Sequence, residues 1–223
     1  MFQIEAYTQE LLKLLKDIFG ERLVYLGLQG SYLRNEQHEN SDIDIMAVID
    51  RLTASDLDSY KNAVIKIGYY DRACGFICGK DELANWNPLE ACQLLNTTKD
   101  IYGNLSEYLP HYTEEDERNY IKVSVGNLYH ELCHRYIYSN RENSIAKLPI
   151  TYKSVFFILQ NLYFVEKGTF YNSKKELLSR LEGQDREVLA MSLNMQNDFD
   201  FDHAFNLLLS WCQNVLIRLN AAI

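Results

Sequence analysis

Asp42 and Asp44 stand two positions apart at the head of an apolar run, Ile43 to Ile49, and a Gly30-Ser31 turn precedes them. In an extended strand, side chains two apart share a face, so both carboxylates project together while Ile43 enters the core. Carboxylates side by side repel each other. The arrangement persists most readily with a hard dication between them, and Mg²⁺ bound to carboxylates plus substrate phosphate oxygens is the usual solution. Upstream, Leu23 to Leu28 is a second apolar run of strand length, closed by Gln29-Gly30. Gly30 lets the backbone approach an oxyanion, and Ser31 offers a hydroxyl and an N–H where a short helix can begin. The stretch from Leu23 to Asp50 therefore reads as a phosphate-and-metal site. The alternative is an ordinary turn followed by a strand with exposed aspartates at its start.

Gly30-Ser31, ten intervening residues and then Asp42-Ile43-Asp44 inside an apolar strand resemble the signature of the polymerase-β-like nucleotidyltransferase superfamily, in particular its small aminoglycoside-modifying members. The resemblance implies that Gly30 and Ser31 hold nucleotide phosphates, that Asp42 and Asp44 ligate Mg²⁺, and that ATP or another NTP is the co-substrate. It also implies a fold: an α/β (α+β) nucleotidyltransferase domain with a short mixed sheet, followed by an all-α helical bundle that helps form the substrate cleft. One departure stands out. Many relatives carry a third carboxylate on the next strand, as metal ligand or general base, but Ala73 to Cys78 contains no acid; Asp71 lies just before that run and Asp81 and Glu82 just after it.

The elements that must position these residues follow from periodicity. Tyr7, Leu11, Leu12, Leu15 and Ile18 fall at helical spacing, with Gly20 as a stop. Thr53 or Ser55 can cap a helix through about Ile67, and Ala73 to Cys78 reads as a third strand ended by Gly79. Short helices are expected over Asp81 to Asn85 and Pro88 to Leu95, with an edge strand at Ile101. From Tyr108 the pattern turns wholly helical, so a border is placed there: 1–108 as the nucleotidyltransferase domain and 109–223 as the bundle. Thr113 and Asp116 read as a capping box opening a helix towards Ser139, a second helix follows Pro149, and Ser173 with Glu176 opens a short helix that Gly183 ends. Further helices over 185–193 and along Phe205, Leu208, Leu209, Cys212, Val215, Leu216 and Leu219 bring the bundle to about five.

Lys plus Arg number 22 against 31 for Asp plus Glu, a net charge of −9. That balance disfavours a nucleic-acid backbone as partner and attracts a cationic small molecule. The five cysteines are odd in number and scattered, so neither a disulfide framework nor a Cys-rich zinc site is indicated, and reduced thiols in a cytoplasm fit. No apolar run reaches the length of a membrane span, and no signal pattern opens the chain, so a cytoplasmic protein is expected.

The helical half offers polar groups of its own. Ser124, Asn127, Glu131 and His134 make one stripe, in which Glu131 is the candidate general base towards an acceptor hydroxyl, with His134 second; a solvated helix face is the alternative. In relatives a lysine early in the following helix reaches the triphosphate, and Lys153 occupies such a place. His130-Glu131-Leu132-Cys133-His134 is also a literal H-E-x-x-H, the pattern of zinc peptidases, yet no later residue beyond His203 or Glu166 offers a third ligand. The expected activity is transfer of a nucleoside monophosphate from an NTP to a hydroxyl of a small, aminoglycoside-like acceptor. A non-catalytic or regulatory nucleotide-binding relative is the alternative, and a zinc peptidase a remote one.

Overall fold

Ile43–Ile49 is a strand, β2, in which every residue but Asp44 is buried. The computed structural model to which it belongs describes residues 2–195 and 199–221. The chain separates into two compact units, Met1–Tyr112 and Thr113–Ile223, dividing at Tyr112 where 108 was expected.

The first unit runs Ile4–Phe19 (α1), Leu23–Leu28 (β1), Gly30–Leu33 (α2), β2, Ala54–Ile67 (α3), Ala73–Gly79 (β3), Lys80–Ala84 (α4), Pro88–Thr97 (α5) and Lys99–Tyr102 (β4). The sheet order is β3-β2-β1-β4. β1 is antiparallel to both β2 and β4, whereas β2 and β3 are parallel and need the crossover that α3 supplies. Strand parity sorts the residues of β2. Ile43, Ile45, Ala47 and Ile49 pack with Tyr7, Leu11 and Leu15 of α1 and with Ala63 and Val64 of α3. Met46 and Val48 pack on the other face with Tyr25, Cys78 and Leu83. Asp44 shares their parity and stands at the end where β2 begins. β1 changes face through a bulge: Leu23 pairs with Ile49 and Tyr25 with Val48, leaving Val24 as the extra residue and bringing Tyr25 to the second face.

The second unit holds Glu114–Tyr138 (α6), Arg141–Lys167 (α7), Lys174–Arg180 (α8), Gly183–Asn194 (α9) and Phe201–Ala221 (α10). Its core joins Ile121, Val125 and Leu128 of α6 to Val155, Phe156 and Leu159 of α7 and to Leu208, Trp211 and Val215 of α10. Thr113 and Asp116 form the expected capping box. Two expectations are corrected. α7 begins at Arg141, capped by the Asn140 side chain, so that Pro149 lies inside the helix and leaves the Ile145 carbonyl without its usual backbone donor. Gly183 does not end α8: buried Leu181 turns extended and does so, and Gly183 opens α9. No described helix is long and apolar enough to cross a membrane.

Candidate active site

The turn and the strand meet at Gly30 and Asp44. Gln29 N–H donates to the Asp44 carbonyl at 2.9 Å, carrying the β1–β2 ladder one step past Leu28. Gly30 has φ 69°, and a Cβ built on it would stand 1.8 Å from Asp44 Oδ2. Only glycine leaves room for that carboxylate, and the left-handed backbone suits it as well. α2 is a single helical turn, closed by Glu36 N–H donating to the Ser31 carbonyl at 3.0 Å, with Ser31 half-buried beside Gly30.

Asp42 immediately precedes β2 and is exposed, while Asp44 is half-buried. Burial pushes the Asp44 carboxyl above its ordinary range; a hydrogen bond from the Cys74 thiol opposes the rise, the charge of Asp42 adds to it and that of Arg34 opposes it. The carboxylates therefore feel each other, and the strain between them is what a cation relieves. As hard oxygen donors they would suit a Mg²⁺ ion, which binds carboxylate, phosphate and water oxygens. No group of three or more His, Cys, Asp or Glu side chains is arranged to hold a metal ion among the described residues.

β3 contains no acid, and the register shows what stands there instead: Asp44 lies opposite Cys74. Asp71 is exposed in the 3₁₀ turn Tyr70–Arg72 before the strand. Glu82 folds over the other end, where a Cβ at Gly79 would meet its Oε2 at 1.8 Å. From residue 74 to 79, a strand covers roughly 16 Å, too far for Glu82 to join Asp44. Arg34 and Cys74 escaped the sequence reading. Arg34 ends the turn that Gly30 begins, a spacing that could have been noticed; Cys74 is identified only by the parallel register.

In the helical unit, Ser124, Asn127 and Glu131 line a cavity of about 300 Å³ together with Tyr120, Ser154 and Phe157. His134 is not among its lining residues; it is exposed, its ring 5.0 Å from that of Tyr138 and 6.0 Å from that of His130. Glu131 Oε1 accepts a hydrogen bond from Thr151 Oγ1 at 3.1 Å and is ion-paired with Arg135, which also donates to Thr151. In the HELCH segment the glutamate is thus engaged with Arg135 and Thr151. Lys153 is exposed next to cavity-lining Ser154, but it stands in the interior of α7 rather than early in it, because the helix begins at Arg141. A second cavity, of about 340 Å³, lies in the first unit against Ile43, Ile45, Tyr60 and Ile77. It is apolar and on the face of β2 opposite Asp44.

Residues 9–84 match the family described as the nucleotidyltransferase domain, a span that contains Gly30, Ser31, Asp42 and Asp44 but neither Glu131 nor Lys153. In fold, the chain is similar to the spectinomycin adenyltransferase AAD(9) from Enterococcus faecialis, whose crystal structure was determined with ATP and spectinomycin. The two are 16% identical, 96% of this chain and 99% of that chain are covered, and the TM-score is 0.61. A toxin-antitoxin structure with AMP-PNP is 21% identical over 58% of this chain and 93% of that one, at a TM-score of 0.33, too low to bear on the fold. No curated protein sequence matches the chain significantly.

Proposed function

We propose, from the match of residues 9–84 to the nucleotidyltransferase domain family, that the protein transfers a nucleoside monophosphate from ATP to a hydroxyl of a small acceptor and releases pyrophosphate. The observation that supports this reading is the close fit of the Asp44 carboxylate against Gly30, which puts one candidate metal donor beside the candidate phosphate turn. Asp42 and Asp44 would hold Mg²⁺, which when bound neutralises triphosphate charge and orients the α-phosphate. The backbone N–H groups and hydroxyl at Gly30-Ser31 bind phosphate oxygens, and Arg34 at the end of the same turn is ion-paired with Glu36 at 3.2 Å. Cys74 stands opposite Asp44 across the β2–β3 pair. The acceptor oxygen attacks the α-phosphorus in line, the new O–P bond forming as the bond to pyrophosphate breaks.

The acceptor belongs with the cavity of α6 and α7. A space of about 300 Å³ is at the lower end of small-molecule sites. Hydroxyl, amide and carboxylate groups together with Tyr120 and Phe157 suit a hydroxylated cation, and the net charge of −9 favours such a molecule over nucleic acid. In the helical unit by itself, Glu131, held through one oxygen by Thr151 and Arg135, is the candidate to accept the proton of an acceptor hydroxyl, and Lys153 the candidate to pair with the triphosphate. A cytoplasmic location fits the free cysteines. The test is pyrophosphate release from ATP and Mg²⁺ across a panel of hydroxylated cations: turnover with at least one member is expected, and failure of the protein to bind Mg-ATP would overturn the proposal. A second reading, nucleotide binding without turnover, is favoured by Cys74 standing opposite Asp44 where many relatives would carry an acid. Tight Mg-ATP binding without pyrophosphate release from any acceptor would select it.

A further inference from the structure

Arg72 ties together the two ends of the loop that separates the phosphate turn from the aspartates. Its Nε and Nη2 both donate to the Ser41 carbonyl, at 3.0 and 2.9 Å, and Nη2 donates as well to the Tyr32 hydroxyl. Ser41 is the residue before Asp42, and Tyr32 follows Gly30-Ser31 in α2. Both are buried. The guanidinium lies 5.2 Å from the ring centroid of Phe2 and 6.0 Å from those of Tyr32 and Tyr69. Tyr69 takes up a left-handed backbone, φ 59°, that a bulky residue rarely adopts. Its ring centroid is 4.8 Å from that of Phe2.

Asp44 needs no such help, because the β1 and β3 ladders hold it. Asp42 lies outside the strand, after an exposed run from 37 to 40, and the bonds within the loop, between His38 and Ser41 and from Asn40 N–H to His38 Nδ1, are local ones. A planar guanidinium serving one carbonyl twice and a hydroxyl once is a rigid clamp that an ammonium cannot copy.

We propose that Arg72 is a positioning residue for the metal site, holding Asp42 at a fixed spacing from the Gly30-Ser31 turn by clamping Ser41 to Tyr32. This rests on the nucleotidyltransferase reading. The experiment is calorimetric titration of ATP at a series of fixed Mg²⁺ concentrations, and in EDTA, for wild type, Arg72→Gln, Arg72→Lys and Tyr32→Phe. Groups that orient metal ligands are typically worth about 10- to 100-fold in metal affinity. Arg72→Gln should raise the Mg²⁺ concentration needed for half-maximal enhancement of ATP binding by roughly that factor, with ATP affinity in EDTA unchanged, and Arg72→Lys should recover part of the loss. An unchanged Mg²⁺ dependence, or an equal loss with and without metal, overturns the inference. Should Arg72→Gln fail to fold, Tyr32→Phe decides: a shift in the same direction supports the clamp and none overturns it. Wild-type ATP binding that ignores Mg²⁺ would instead sink the metal reading of Asp42 and Asp44, and the inference with it.

Discussion

Gly30 and Asp44 compete for one volume: a Cβ at Gly30 would stand 1.8 Å from Asp44 Oδ2, well inside any contact distance. Gly30→Ala must therefore displace the carboxylate or the turn, and it also places a side chain at φ 69°. Left-handed backbone at a non-glycine residue costs about 1–2 kcal/mol. The expected outcome is a modest fall in melting temperature with a complete loss of Mg²⁺-dependent ATP binding. A variant that binds Mg-ATP like wild type would show that the turn and the carboxylate do not act together.

Asp44 should be a residue that function retains against stability. Its folded pKa is raised, chiefly by burial. The native state then binds the proton more tightly than the unfolded chain, so stability falls as pH rises through the interval between the two pKa values, and the full penalty is present above the folded one. Asp44→Asn removes that penalty while keeping the shape of the side chain. In metal-free buffer at pH 7 the variant should melt higher than wild type while losing Mg²⁺-dependent ATP binding. A lower melting temperature would contradict the desolvation account.

Much of this arrangement was legible because it is local. Parity along Ile43–Ile49 assigns Asp44 to one face and Ile43 to the other, and Gly20 and Gly168 stop their helices by left-handed or otherwise irregular backbone that glycine tolerates. Pro149 misled for an equally local reason, since proline is favoured in a helix's first turn, yet a long, well-packed helix can absorb one in its interior. The Cys74–Asp44 pairing was out of reach, because it depends on the parallel register of β2 and β3. So was the Arg72–Ser41 bond, between residues 31 apart in the chain. Arg135 was within reach: it lies one helical turn from Glu131, a spacing that pairs opposite charges.

The start of α3 predicts how the first unit responds to acid. Asp56 receives Arg22 through both oxygens, at 2.6 and 3.1 Å, and the Thr53 N–H at 2.9 Å. The Arg22 hydrogen bond, and then that of Thr53, hold its carboxyl well below the usual carboxylate range. The stabilisation is thus present above the unfolded value of about 4 and is lost as pH falls from there towards the folded one. Asp56→Asn should melt below wild type at pH 7, and the gap should narrow below about pH 4. A gap that stays constant from pH 7 to pH 3 would mean that Asp56 acts through packing rather than charge.

Glu131 faces a conflict that kinetics can resolve. Thr151 and Arg135 both engage Oε1, so the carboxylate is held in one orientation at the cavity wall beside Ser124 and Asn127. If it accepts the acceptor's proton, Glu131→Gln keeps the shape and the Thr151 contact but removes the base. A positioned base typically contributes about 10²- to 10⁴-fold in rate, so kcat should fall by that factor with little change in ATP affinity. If Glu131 merely anchors Arg135 between α6 and α7, the same substitution should lower the melting temperature and leave kcat for the folded fraction intact. Arg135→Gln separates the two further: with Glu131 as base it should lower kcat, because the carboxylate loses one of the two partners that hold its orientation, whereas an anchoring role predicts lower stability with kcat for the folded fraction intact. Full turnover by Glu131→Gln with any acceptor would remove this residue from the chemistry and leave the enzyme standing on Gly30, Ser31, Asp42 and Asp44.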